Sequence, residues 1–195
     1  MPPISGEDWY ARDLSGERFE NEQLLDVDLT ESRGQGAVFD SCTFRGVRFN
    51  VSEYTDSAFL SCTFVRCSFF DARFTGCKLT GSTFDGCDWG PVRVERGDWS
   101  FVTLAGADLR SATFSGVRMR EADLSRVRLD DASLRGCDTS GASWRGANVS
   151  GCDLRGSDLS TLDPVGAQLR GARITIDQAV QLAEALGLDV RPDAD

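Results

Sequence analysis

The chain contains no histidine, and a single lysine, Lys78, stands among its 21 basic residues. Without histidine the commonest side-chain base and the imidazole metal ligand are both missing, so Ser-His-Asp, Cys-His and histidine-metal constellations cannot be assembled. No stretch approaches the ~18 consecutive apolar residues that a membrane-spanning helix needs. The opening residues, Met1-Pro2-Pro3-Ile4-Ser5, have neither a basic nor an apolar run, so a secretory leader is not expected and the cytoplasm is. The seven cysteines are odd in number and come without an export signal, which argues against a disulfide framework. Neither phosphate-binding glycine pattern, that of the P-loop or that of the dinucleotide fold, is present. The net charge of −10 opposes direct binding to nucleic acid. It suits a basic partner, or serves solubility alone. These absences lead us to expect no catalytic residue, no metal, no cofactor and no membrane contact.

What is present is a period of five. From Trp9 to Ile174, 31 of 34 fifth residues are large and apolar, and the exceptions are Gly34, Thr139 and Pro164. Two residues before each of these runs a second column that is nearly all small from Val27 onward, with Leu162 the clear exception, and it holds all seven cysteines: Cys42, Cys62, Cys67, Cys77, Cys87, Cys137 and Cys152. Two residues after runs a third column, with 16 of the 20 glycines. Five matches neither the 3.6 of a helix nor the 2.0 of a strand. After the first coil the large and small columns both exclude charge and must both face inward. The glycine column fits corners, where a Cβ is costly. Each unit is then one side and one corner.

Ala107-Asp108-Leu109-Arg110-Ser111, Ala122-Asp123-Leu124-Ser125-Arg126 and Ala147-Asn148-Val149-Ser150-Gly151 follow the pattern A-(D/N)-L-x-x. In this the chain resembles the pentapeptide-repeat family. The resemblance implies an all-β solenoid, a right-handed quadrilateral β-helix in which four units close a 20-residue coil. Coils rising by ~4.8 Å make a rod roughly 40 Å long. Phe44, Phe64, Phe84, Leu104, Leu124 and Trp144 then form one core ladder. Cys42 with Cys62, and Cys67 with Cys87, stack in successive coils as buried, inert small hydrophobes. Leu60, Val65 and Phe70 follow core residues and point outward as candidate partner contacts. Gly90-Pro91 and Asp163-Pro164 mark local irregularities.

The repeat occupies residues 1–174, and 175–195 form a helix and tail, expected as cap and dimerisation element. Thr175 with Gln178 makes a capping box, Asp177 lies in the first turn, and Gly187 is the stop. The candidate dimer interface is the apolar set Ile176, Ala179, Val180, Ala183 and Leu186, continued by Leu188 and Val190 as a short strand. Arg191 to Asp195 reads as frayed. The unbroken coil and the junction Gly171-Ala172-Arg173 resemble the gyrase-interacting, MfpA/Qnr-like branch of the family, and the lack of an inserted loop places the chain nearer the MfpA-like members. That resemblance implies a homodimer that imitates duplex DNA, binds DNA gyrase, and inhibits it or protects it from quinolone-type poisons. The candidate gyrase-facing surface is the acidic side with Asp28, Glu31, Asp71, Asp88, Asp108, Asp130 and Asp131. The alternative is a non-catalytic interaction scaffold for another protein.

Overall fold

The computed structural model describes residues 2–191. Its short strands pair in parallel with a constant offset of twenty residues, as in Phe44 with Phe64 and Phe74 with Val94. A constant offset of four units is what closes a four-sided coil, and the fold is the expected right-handed quadrilateral solenoid. The sides are named here by their first large residue. The Leu14 side is a six-stranded sheet, the Leu24 side a five-stranded sheet and the Phe19 side a three-stranded one. The Trp9 side has only isolated bridges, such as Asp8 to Asp28 and Asp28 to Arg48.

From Val27 onward the large and small columns are both mostly buried. Phe44, Phe64, Phe84, Leu104, Leu124 and Trp144 lie in one interior column. Successive rings there are nearly parallel: Phe44 and Phe64 have centroids 4.7 Å apart, as do Phe64 and Phe84. The coil spacing thus sets the ring spacing, and aromatic stacking adds about 0.5–1.5 kcal/mol per pair to simple burial. Gly34, an exception to the large column, has a specific partner. An added Cβ would lie 2.7 Å from the Tyr54 ring, so the tyrosine of the next coil fills the vacated space. Its hydroxyl meets Ser32 Oγ at 3.0 Å, which satisfies both buried polar groups.

The corner column explains the glycines. From Gly6 to Gly171 every corner residue has φ between +48° and +77° except Pro91, Ser111, Thr161 and Gly166. Fifteen non-glycine residues accept the same left-handed conformation, Val51 at +56° and Phe101 at +60° among them. The fold therefore imposes the angle and glycine merely suits it. Proline cannot follow, because its ring holds φ near −65°. At Pro91 the left-handed residue is instead Gly90, one position early, at +48°.

Displacing that corner breaks the ladder. Elsewhere on the Trp9 side backbone bonds join successive coils, as from Phe69 N–H to Asp88 O at 2.7 Å and from Leu109 N–H to Arg128 O at 2.8 Å. Among the described residues no backbone bond joins Asp88–Pro91 to Asp108–Ser111. A slit of about 510 Å³ opens there. The second expected irregularity, at Pro164, coincides with the departures at Thr161 and Gly166.

The two ends are covered differently. At the first coil the Arg12 guanidinium lies 4.1 Å over the Trp9 ring and pairs with Glu17 at 3.0 Å, while Trp9 Nε1 donates to Glu7. At the last coil the helix Ile176–Ala185 crosses the opening. Thr175 and Gln178 form the capping box. Gln178, itself buried, donates from Nε2 to the carbonyls of Leu154 and Ser157 at 2.8 and 2.6 Å. No helix among the described residues is long and apolar enough to cross a membrane.

Candidate functional site

The acidic candidates lie on the Trp9 side, and the local turn chemistry divides them. Asp placed just before a large residue accepts a hydrogen bond from the backbone N–H two residues on. Thr30 donates in this way to Asp28 at 2.9 Å, and Arg110 to Asp108 at 3.4 Å. The same bond recurs at Asp13, Asp98, Asp123, Asp138, Asn148 and Asp158 on other units. Such Asx turns fix the side and its corner, so much of the acidity is built into the repeat.

Arginines neutralise part of the remainder. Arg48 pairs with Asp28 at 2.7 Å and holds its carboxyl down at about 2. Arg93 reaches Asp71 at 3.2 Å. Arg110 at 2.7 Å and Arg128 at 3.6 Å both engage Asp108, whose pKa is lowered chiefly by Arg110. Arg128 also lies 3.8 Å from Asp130, which accepts from Asn148 Nδ2 at 3.2 Å. Glu31, Asp88 and Asp131 stand outside these ion pairs. Glu31 and Asp131 are left-handed corner residues. The Glu31 carboxylate near Tyr10 raises the tyrosine pKa. Asp88 and Asp131, with Asp108 and Asp130, line the slit.

The sequence places Arg48, Arg110 and Arg128 on the same side as the acids but does not say which acid each one holds, because which coil an arginine reaches depends on its rotamer and not on its column. The next side, that of Leu14, reads as mildly basic, and the structure gathers part of it into one cluster. There Asp153, almost buried, has Arg155 at 2.7 Å, Arg135 at 3.7 Å and Arg173 at 4.0 Å. Its pKa falls to about 2, with Arg155 the main cause.

The C-terminal candidates separate into two groups. Val180 and Ala183 are half-buried, and it is Leu182, outside the expected set, that packs against the core. Ile176, Leu186, Leu188 and Val190 are exposed, at 83%, 54%, 60% and 42%, and Ala179 is exposed as well. Leu188 and Val190 do not form the expected strand. Leu188 N–H bonds back to Ala183 O at 3.0 Å and Gly187 N–H to Glu184 O at 2.8 Å, with Gly187 at φ +82°. This Schellman closure consumes the N–H groups that a strand would offer. The expectation of fraying beyond Arg191 lies outside the described residues.

Two further expectations are corrected. Of Leu60, Val65 and Phe70, only Phe70 is an exposed group, at 52%; the other two are half-covered by neighbouring coils. Cys87 is not buried like the other six cysteines, because the slit uncovers it.

Comparison with known proteins places this geometry. No curated protein sequence matches the chain. Among solved structures, two trypsin-treated single-substitution forms of QnrB1, described as a plasmid-mediated fluoroquinolone resistance protein, superpose with TM-scores of 0.77 and 0.76 at 22% identity. Each covers 97% of this chain, and 98% and 97% of the respective QnrB1 chains. Full-length QnrB1 superposes at 0.64, also at 22% identity, over 95% of this chain and 97% of its own. At that identity the likeness is one of fold. The family of pentapeptide repeats matches in eight copies over residues 60–88, 96–126, 103–141, 122–160 and 132–175, which is more than half of the sequence. With its unbroken five-residue step and its four-sided coil, the chain belongs to the pentapeptide-repeat family.

Proposed function

We propose that this protein is a non-catalytic DNA mimic that binds DNA gyrase as a homodimer, inhibiting the enzyme or protecting it from quinolone-type poisons. The observation that carries the reading is the end-to-end superposition on a fluoroquinolone-resistance protein, over 97% of this chain and 98% of the other. Two features of the surface support it. The Trp9 side carries Asp8, Asp28, Glu31, Asp71, Asp88, Asp108, Asp130 and Asp131 against Arg48, Arg110, Arg128 and Arg170, so along the rod it offers an interrupted but net negative charge to a basic channel. The carboxylates free to meet such a channel are Glu31, Asp88 and Asp131, with Asp71 and Asp130 weakly held. The exposed Ile176, Leu186, Leu188 and Val190 supply an apolar surface at the far end of the rod, suited to a second copy across a two-fold axis.

The test is a supercoiling assay with purified gyrase, with and without a fluoroquinolone. The expected result is inhibition at micromolar protein, or rescue of supercoiling in the presence of drug. No effect in either arm sinks the proposal and leaves the second reading, an interaction scaffold for a different protein. That reading draws on the broad acidic surface and would be supported by a defined partner captured without gyrase subunits.

A further inference from the structure

The seven thiols share one column but not one environment. Cys87 lies in the wall of the slit that Pro91 opens, and the other six are buried. Cys67 stands one coil away in register, since Asp88 N–H donates to Cys67 O at 2.9 Å and Ser68 bridges Asp88. Register partners in a parallel ladder have Cα atoms roughly 4.8 Å apart, inside the range of about 4.4–6.8 Å that a disulfide spans. Each thiol donates to a carbonyl of the preceding coil, Cys67 to Phe44 O at 3.4 Å and Cys87 to Phe64 O at 3.6 Å, and the stacked neighbour holds the Cys87 thiol below its ordinary pKa and Cys67 above its own. Cys42 and Cys62 are stacked in the same register, with Thr63 N–H donating to Cys42 O at 2.9 Å and each thiol on a carbonyl of the preceding coil, yet both are 1% exposed. The molecule thus carries an internal control: equal chemistry, unequal access.

We propose that Cys87 and Cys67 are a peroxide-sensitive thiol pair, Cys87 attacked through the slit and Cys67 resolving it, closing a reversible disulfide between successive coils. The oxidant is a hydroperoxide. The Cys87 thiolate attacks a peroxide oxygen, an S–O bond forms and the O–O bond breaks, and the departing hydroxide takes up the displaced thiol proton as water. The Cys67 sulfur then attacks the Cys87 sulfenic sulfur, the S–S bond forms, and the S–O bond breaks with loss of a second water. Two thiols give up two electrons and one hydrogen peroxide becomes two waters. A bond between parallel Cβ vectors is strained, and strained disulfides are the readily reduced ones, which suits reversal by a cellular dithiol. The inference does not depend on gyrase.

The full chain is treated with hydrogen peroxide at neutral pH, quenched, unfolded in iodoacetamide and digested with trypsin without reduction. Cleavage after Arg66, Arg73, Lys78 and Arg93 places the two cysteines in peptides 67–73 and 79–93. The expected product joins these peptides, is two hydrogens lighter than their sum, and is reversed by dithiothreitol. It should form at least about tenfold faster than any Cys42–Cys62 link, since access limits the buried pair. In Cys67→Ser the Cys87 sulfenic acid should accumulate and be trapped by dimedone, and in Cys87→Ser the Cys67 thiol should stay reduced. Circular dichroism checks that both variants keep the fold. Equal rates for the two pairs, oxidation of Cys67 in Cys87→Ser, or seven reduced thiols beside an oxidised control peptide would each overturn the proposal.

Discussion

A single aspartate before each large residue serves backbone, counter-ion and surface at once, and its partners decide which role dominates. Asp28 and Asp153 are structural in this sense, each with its carboxyl held at about 2 by an arginine. A folded-state pKa below the unfolded value contributes stability that is complete above about pH 4 and is lost as pH falls toward 2. The melting temperature should therefore be flat from neutrality to about pH 4 and drop steeply below it. Asp28→Asn and Asp153→Asn should each flatten that drop. Size matters as much as charge at Gly34. Gly34→Ala puts a methyl group against the buried Tyr54 ring and should cost about 1–3 kcal/mol by overpacking. Tyr54→Phe leaves Ser32 without its partner and should cost roughly 1 kcal/mol. Denaturant midpoints measure both. At Val51 the sign reverses: a β-branched residue at φ +56° is strained, and Val51→Gly should be neutral or stabilising by up to ~1 kcal/mol.

Among the elements, the C-terminal helix is held to the rod by a polar side chain. Gln178 satisfies two carbonyls at the open end and closes the capping box of its own helix. Gln178→Ala strands Leu154 O and Ser157 O and should cost about 1–3 kcal/mol. Hydrogen exchange would show the loss confined to the last coil and the helix. The sequence made the helix, its N-cap and its glycine stop legible, because each depends on neighbours within four residues. The anchor was hidden, because scoring an apolar face passes over a glutamine whose partners lie more than twenty residues away. The slit was half legible. Gly90-Pro91 signalled an irregularity, but its consequence for Cys87 follows only once proline is seen to occupy a corner that demands a positive φ.

For the molecule as a whole, the five-residue step, unbroken from Trp9 to Ile174, made the stacked coil and its inward columns legible, while the handedness and the number of sides came from the resemblance to the pentapeptide-repeat family. The working surface was less legible. Column counting placed eight acids on one side, Asp8 and the seven candidates, but could not separate those tied into Asx turns and ion pairs from those left free. If the free carboxylates meet a basic channel, Glu31→Gln, Asp88→Asn and Asp131→Asn together should weaken the effect on gyrase by roughly tenfold or more, with Tm unchanged, whereas Asp28→Asn should lower Tm instead. Raising the salt should weaken the wild-type effect and narrow the gap between wild type and the triple variant. Leu186→Asp with Leu188→Asp should halve the mass seen by light scattering and reduce the effect on gyrase together with it. A monomeric wild type would refute the dimer.

The unbroken step also makes reach and orientation separately adjustable. Excising twenty residues, such as 112–131, removes one full turn and shortens the rod by ~4.8 Å while every downstream side chain keeps its compass bearing. Excising five restores the interior columns equally well but swings everything beyond the cut, terminal helix included, through a quarter circle. A lineage gaining or losing repeats can thus tune how far the protein extends in one increment and which way its end points in another, without disturbing a single interior contact type.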